Sequence, residues 1–353
     1  MLIASVLRPM LRLLGIALVA SFTPALLAQV SSPAADGFDP NVSGNVWAVA
    51  VQPDGRVLIA GNFSTIQPNG ATSPTAQNNI ARLLPDGRHD ASFAASVNGQ
   101  INAMVLQPDG RIVIGGAFTA VGGATRNRVA RLNADGTLDA TFDPNVGGGL
   151  TPEVKTLALQ PDGKLLVGGG FISVQPNGAA APTTRNRVAR FNADGSLDTT
   201  FDPRANNQVL SFAVQPDGKI LIGGGFTTLQ PNGAATATAR NRIARLNADG
   251  SLDGSFDPNA NNAVSAIEVL PNGQILIGGT FTSLRPNGAA DASTAGVQRI
   301  ARLNADGTIS SGFIGSADGQ VHALKVQADG SILVGGAFSN LGSGVRAYFG
   351  RIL

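Results

Sequence analysis

The sequence predicts an all-β fold: a six-bladed β-propeller of four-stranded antiparallel blades, its ring closed by the N-terminal segment. Three observations predict it. One unit recurs six times, each unit is made of short β-branched and apolar runs separated by tight-turn residues, and each terminus lacks what the other carries. No segment after residue 28 keeps a helical apolar period.

In chain order, the first element is MLIASVLRPMLRLLGIALVASFTPALLA, in which Arg8 and Arg12 precede an apolar run from Leu13 to Leu27. This is the pattern of a secretory signal over residues 1–28, too short and too interrupted at Pro24 for a membrane span, and no later stretch is apolar enough for one. Removing these residues takes away two arginines and no acid, so the formal charge of +2 falls to zero. The basic pI then gives no support to nucleic-acid binding. With no Cys, disulfides and thiolate metal sites are excluded, and an exported chain is held together by its own core.

The repeat is marked by the turn residues Asp54, Asp109, Asp162, Asp217, Asn272 and Asp329, spaced 55, 53, 55, 55 and 57 apart. Each unit opens with a strand such as VLSFAVQ (209–215), which turns through Pro216-Asp217-Gly218 into KILIGGGF. A third strand, RIARLN (242–247), turns through Ala248-Asp249-Gly250 into a fourth, SLDGSF. Pro presets φ at the second turn position and Gly takes the left-handed fourth, the requirement of a type I turn with a bulge. The pattern QPDGxILIGGxF followed by IARLNADGSLDxxFDP resembles the bacterial delta-60 repeat family. That resemblance covers residues 38–353 and implies propeller blades in an exported bacterial protein; it brings no catalytic residues with it.

The blades are placed at about 46–93, 101–144, 154–203, 209–258, 264–315 and 321–353, within one domain of 29–353. Unit six ends at Phe349-Gly350-Arg351-Ile352-Leu353 without a fourth strand, while Gly37-Phe38-Asp39-Pro40 precedes unit one like an orphaned Phe-Asp-Pro ending. Residues 36–40 are therefore expected to complete the last blade, a closure that removes open sheet edges.

Most acids have a structural place. Of the 23 acidic residues only Glu153 and Glu268 are Glu, and nearly every Asp lies in a tight turn, in Leu-Asp or in Phe-Asp-Pro. A three-residue hairpin loop at Ala193-Asp194-Gly195 sets Arg190 opposite Asp198, and likewise Arg82 opposite Asp90, Arg131 opposite Asp139 and Arg245 opposite Asp253. A calcium loop aligned on that Gly would put Arg190 and Phe201 at ligand positions, which neither can fill. The Gly-rich run leads into no helix and cannot cradle phosphate. His89 and His322 stand apart, so neither a metal site nor a cofactor is expected.

Function is expected on loops away from the tight turns. From the Phe ending strand two to the Arg of strand three the intervals are 19, 13, 19, 19, 21 and 13 residues, so units three to five carry adjacent long loops. The second position of each innermost strand differs in every copy: Trp47, Asn102, Lys155, Leu210, Ser265 and His322. A Phe-Asp-Pro Asp (143, 202, 257) is expected to pair with the Arg three residues before the strand-three Arg (Arg128, Arg187, Arg242). Unit five has no such Asp beside Arg299, has Ser310 where Arg302 expects an acid, and carries Arg285 where other long loops have Gln. The candidate ligand-binding residues are thus Arg285, Arg299, Arg302, Trp47, Lys155 and His322. The expected role is a monomeric, non-catalytic binding or scaffolding module in the periplasm, at the cell surface or outside the cell, with a protein or an acidic glycan as ligand. The alternative is a glycan-active hydrolase or lyase using Glu153, Lys155 and His322 at an axial pocket.

Overall fold

The computed structural model describes residues 38–68, 71–291, 293, 297–313 and 315–353. The expected signal segment and residues 36 and 37 of the expected closing strand lie outside the described residues. The fold is all-β and propeller-like, with no α-helix among the described residues and no helix long and apolar enough to cross a membrane.

Each of six units contributes a three-stranded antiparallel sheet in sequence order. The inner strands are Asn45–Val51, Ile101–Leu106, Val154–Leu159, Val209–Val214, Val264–Val269 and Gln320–Val326. The middle strands are Val57–Asn62, Ile112–Gly116, Leu165–Gly169, Ile220–Gly224, Ile275–Gly279 and Ile332–Ala337, and the outer ones Ile80–Leu83, Val129–Leu132, Val188–Phe191, Ile243–Leu246, Ile300–Leu303 and Phe349–Ile352. The middle strands of units two to five are buried on both faces and read as unbroken apolar runs, as a strand covered on two sides must. The expected four-stranded blade is corrected here. Ser-Leu-Asp and its equivalents form only isolated bridges, such as Leu132↔Leu138 and Leu246↔Leu252, because Leu-Asp is followed at once by another turn.

The long loops are likewise structured. Those of units one, three and four fold as a second small hairpin, such as Ser173–Val174 with Thr183–Thr184 and Thr228–Leu229 with Thr238–Ala239, and that of unit five has the bridge Leu284↔Ser293 in its place. The segment arriving from the previous unit adds to it, as in Val146↔Val174 and Ala205↔Leu229. The Pro-Asn-Gly turns at 176–178, 231–233 and 286–288 place their Asn at φ 51, a left-handed value that Asn tolerates. Asn177 accepts from the Asp143 N–H at 3.1 Å and donates to the Asp194 carbonyl at 3.4 Å, pinning the loop to its own unit and the one before. The adjacent long loops of units three to five are therefore each pinned through their Pro-Asn-Gly turn.

Units join through their inner strands, each packed on the next from unit one to unit six. A Cβ on Gly115, Gly168, Gly223 or Gly278 would stand 2.5–2.9 Å from side chains of the following unit, so in units two to five the first Gly of the Gly-Gly pair is a notch that receives the next unit, while unit one carries a buried Ala60 in that place. A second joint lies at the tight-turn end. The Arg190 Nε donates to Asp198 at 2.9 Å, its NH1 donates to the Ala248 carbonyl of the next unit at 2.6 Å, and its guanidinium lies 4.2 Å from the Phe201 ring centre. Arg82, Arg131 and Arg245 repeat this set, with Nε bonds of 2.8 Å to Asp90, Asp139 and Asp253. The Phe in turn lies against the left-handed Gly of the next unit's turn, Phe201 against Gly250 and Phe142 against Gly195. The repeated Asp-Gly, Leu-Asp and Phe positions thus form an inter-unit clamp, and the four Arg–Asp pairs stand as the hairpin register predicts.

The two ends of the array differ from its middle. Pro40 to Val42 run along unit one, where Val42 pairs with Ile66 and the Gln67 N–H donates to the Pro40 carbonyl at 3.1 Å. Among the described residues the inner strand of unit six does not pack on that of unit one as consecutive units do, and Val46, Val49, Val51 and Phe349 are exposed.

Candidate binding surface

Two repeated backbone irregularities meet at the end of the sheets opposite the clamps. The first is a β-bulge in every inner strand, where the register shifts between Val46 and Ala48, Ile101 and Ala103, Val154 and Thr156, Val209 and Ser211, Val264 and Ala266, and Val321 and Ala323. The bulged residues are Trp47, Asn102, Lys155, Leu210, Ser265 and His322. These are the six variable positions, and a bulge explains the variation: its residue has no cross-strand partner and its side chain is re-aimed.

The second is a left-handed residue just ahead of each outer strand: Asn79, Arg128, Arg187, Arg242, Arg299 and Tyr348, all at φ 63–67. Their backbone carbonyls cap the middle strands, Arg128 accepting from the Gly116 N–H at 2.9 Å and Arg187 from the Gly169 N–H at 3.0 Å. Since Gly169 is the register partner of Val154, Arg187 and Lys155 flank one level of the sheet.

The four guanidinium groups of this row contact only carbonyls. Arg128 donates to the Val146 oxygen at 3.1 Å and Arg299 to that of Ala317 at 3.0 Å, while Arg187 and Arg242 reach Gly170 and Gly225. Among the described residues none lies within ion-pair distance of a carboxylate. The expected pairing with Phe-Asp-Pro is corrected: Asp143, Asp202 and Asp257 face Arg126, Arg185 and Arg240, two residues earlier, at 3.6–3.8 Å. That earlier Arg points along the outer hairpin, whereas the left-handed backbone turns the later one away.

Between units two and three the row borders a cavity of about 300 Å³ lined by Ala117, Arg128, Thr151, Pro152 and Glu153. Burial holds the Arg128 guanidinium below its ordinary value. Of the cavity's lining residues Glu153 pairs with Lys155 at 2.8 Å, and the bulged Asn102 of unit two donates to the Val154 carbonyl of unit three at 2.7 Å. A larger cavity, about 400 Å³, lies between units three and four at the clamp end, where Lys164 and Arg190 are both bound to Asp198. Its charges are committed to the scaffold.

The three unit-five arginines do not form a cluster of unpartnered groups. Arg285 donates to the carbonyls of Ala289 at 2.6 Å and Ala290 at 2.9 Å, doing the work of Gln67, Gln175 and Gln230 in the other long loops. Arg302 belongs to the clamp end, bonded to Ser310 at 3.2 Å and stacked on Phe313 at 5.1 Å. Arg299 alone belongs to the left-handed row. Trp47 and His322 are exposed on units one and six, and Lys155 lies on unit three beside Glu153. The row itself, Arg128, Arg187 and Arg242 above all, forms no salt bridge with Phe-Asp-Pro; its sequence signal is the Arg-Asn-Arg repeated at 126–128, 185–187 and 240–242. Among the described residues no group of His, Asp and Glu is placed to hold a metal ion.

A family model described as a β-propeller domain of unknown function, DUF5122, matches residues 52–93, 107–142, 160–201, 215–256, 270–313 and 327–352. Among solved structures, virginiamycin B lyase from Staphylococcus aureus is similar over 88% of this chain and 86% of its own, at 12% identity and a TM-score of 0.51. The WD40 β-propeller domain of Doa1 is similar over 86% of this chain and 95% of its own, at 15% identity and a TM-score of 0.38. At such identities the likeness concerns the fold alone. No curated protein matches the sequence.

Proposed function

Since the chain belongs to the DUF5122 β-propeller family, we propose that it is an exported, six-bladed, non-catalytic binding module whose ligand is anionic, with acidic glycans the fitting class. The observation that carries this reading is the row Arg128, Arg187, Arg242 and Arg299: four guanidinium groups at one repeated position, on one end, each bonded to a carbonyl and, among the described residues, none to a carboxylate. Planar, forked donors suit carboxylate and sulfate oxygens, and the repeat sets one such donor on each of four consecutive units. Export rests on the signal pattern of residues 1–28. The catalytic alternative has less behind it, because Glu153 and Lys155 are paired on unit three while His322 lies on unit six.

The test is binding of the full chain to an acidic polysaccharide, read by titration at low and moderate salt and repeated with Arg128, Arg187 and Arg242 all changed to Gln. Saturable, salt-sensitive binding that the triple variant loses supports the reading. Binding unchanged in a folded triple variant, or none by the parent, overturns it.

A further inference from the structure

The joint between consecutive units has two halves. One is the Gly notch of the middle strand; the other is an apolar face on the next inner strand, for which Val154 and Leu157 fill the notch of Gly115. The array leaves one of each half over. At Gly335 the nearest atom to an added Cβ is Ala323 of the same unit, 3.8 Å away, so this notch is empty. Beside it Phe349 is 61% exposed, where Val188, Ile243 and Ile300 are wholly buried. At the opposite end Val49 and Val51 are 61% and 65% exposed, in the places that Leu157 and Leu159 hold in unit three.

We propose that these are the halves of a joint between copies: the Val46–Val49–Val51 face of one chain seats in the Gly335 notch of a second, head to tail. Among the described residues the two inner strands do not pack on one another as consecutive units do, and both faces are exposed. A second copy carries the matching half in the matching register, because inner strands pack on one another at five joints along the array, four of them around a Gly notch. Arg351 points the same way. It is exposed where Arg82, Arg131, Arg190 and Arg245 are buried, and the turn carbonyl it would clamp, that of Pro85, stands on unit one of the incoming copy. Such a heterologous contact regenerates both halves at the ends of each assembly, so copies close into a ring or continue as a chain. This departs from the monomer that the sequence suggests.

The absence of cysteine makes the test direct. At the Gly278 joint the added Cβ lies 3.2 Å from the Val321 Cβ, close to the separation of about 3.5–4.5 Å that a disulfide spans. Val46→Cys and Gly335→Cys are therefore made as separate full-length variants, mixed and oxidised, alongside the double variant. The expected result is a covalent dimer from the mixture and a ladder of multiples from the double variant. Adding Val49→Asp to the Val46→Cys chain should cut the cross-linked fraction about tenfold, the effect of roughly 1.4 kcal/mol at the contact. A mixture that stays monomeric overturns the proposal, whether the double variant closes within one chain or does not cross-link at all. Sedimentation of the unmodified chain supplies a readout independent of the cysteines: mass rising with concentration supports the joint, and one constant monomer mass rejects it.

Discussion

Units four and five differ by a coordinated set of substitutions. In unit four, Arg245 and Lys219 both bind Asp253, at 2.8 and 2.9 Å, and Arg240 faces Asp257. In unit five Ser310 replaces the Asp, Gln274 replaces the Lys and donates to Ser310 at 2.9 Å, and Val297 stands buried where Arg240 would be. Ile314 occupies the sequence position of Asp257. Each acid has left with one base, the clamp Asp with the Lys and the Phe-Asp-Pro Asp with the earlier Arg, so Arg302 keeps its place at the clamp with a neutral hydroxyl as its acceptor. A missing acid in a repeat therefore does not by itself release an arginine for ligand binding.

The largest effect expected from this contrast is at the clamp. Changing Arg245 to Leu leaves Asp253 buried with one cation instead of two and leaves the Ala305 carbonyl without its donor. The expected loss is about 3–5 kcal/mol. The same change at Arg302 removes a hydrogen bond from a cation to a neutral hydroxyl and strands no buried carboxylate, so it should cost about 1.5 kcal/mol. Denaturant midpoints compare the two, and equal losses would mean that the clamp charge contributes nothing.

The notch gives the next effect. Gly223→Ala forces a methyl to within 2.9 Å of Val264 and 3.0 Å of Ile267, an overpacking worth about 1–3 kcal/mol. Gly335→Ala enters open space, and in dilute protein its melting temperature should stay at the parent value. If the two variants lose the same amount, the notches are not what spaces the units.

These contrasts mark what was legible in the sequence. Register within a hairpin follows from counting, because antiparallel pairing is periodic and the Asp-Gly turns fix its origin; hence Arg190 met Asp198 as read. Contacts between sheets follow no such count. The Ala248 carbonyl that Arg190 clamps lies 58 residues away, and nothing in the spacing shows that a Gly-Gly pair receives the next unit's valine. The variable inner-strand position was visible, but not that it is a bulge, since the extra residue is not marked by Gly. The Asp143 partner was misplaced by two residues because Arg126 and Arg128 lie on the same side of an ideal strand, and only the left-handed turn at Arg128 separates them.

Acid should separate the units more gently. Burial pushes the Asp198 carboxyl up, but hydrogen bonds from Lys164 and Thr200 and the charge of Arg190 outweigh it, and the group is held well below the carboxylate range. Asp253 is depressed in the same way, with Ser255 and Lys219 opposing burial. A depressed folded-state value means stability that is complete above the unfolded value, about 3.9, and is lost as pH falls below it. Thermal midpoints should therefore drop below about pH 4, and the paired Asp198→Asn and Asp253→Asn changes should make that drop shallower. Ser310 contributes no such slope, so a Ser310→Ala change should leave the shape of the profile as it is.

The smallest effect is expected at Arg285, where it is the most telling about function. Its two bonds to Ala289 and Ala290 do what a Gln side chain does in units one, three and four, each donating Nε2 to the corresponding Ala carbonyl at 2.7 Å. Arg285→Gln should keep the staple and change stability by no more than about 0.5 kcal/mol, the usual span for an exposed site. Binding then isolates what the charge adds. If the polyanion follows the left-handed row alone, the variant binds as the parent does while Arg242→Gln weakens binding. If instead Arg285→Gln weakens binding as much as Arg242→Gln, the ligand extends from the row across the unit-five hairpin, and the charge that this unit gained in its loop is a contact to the ligand.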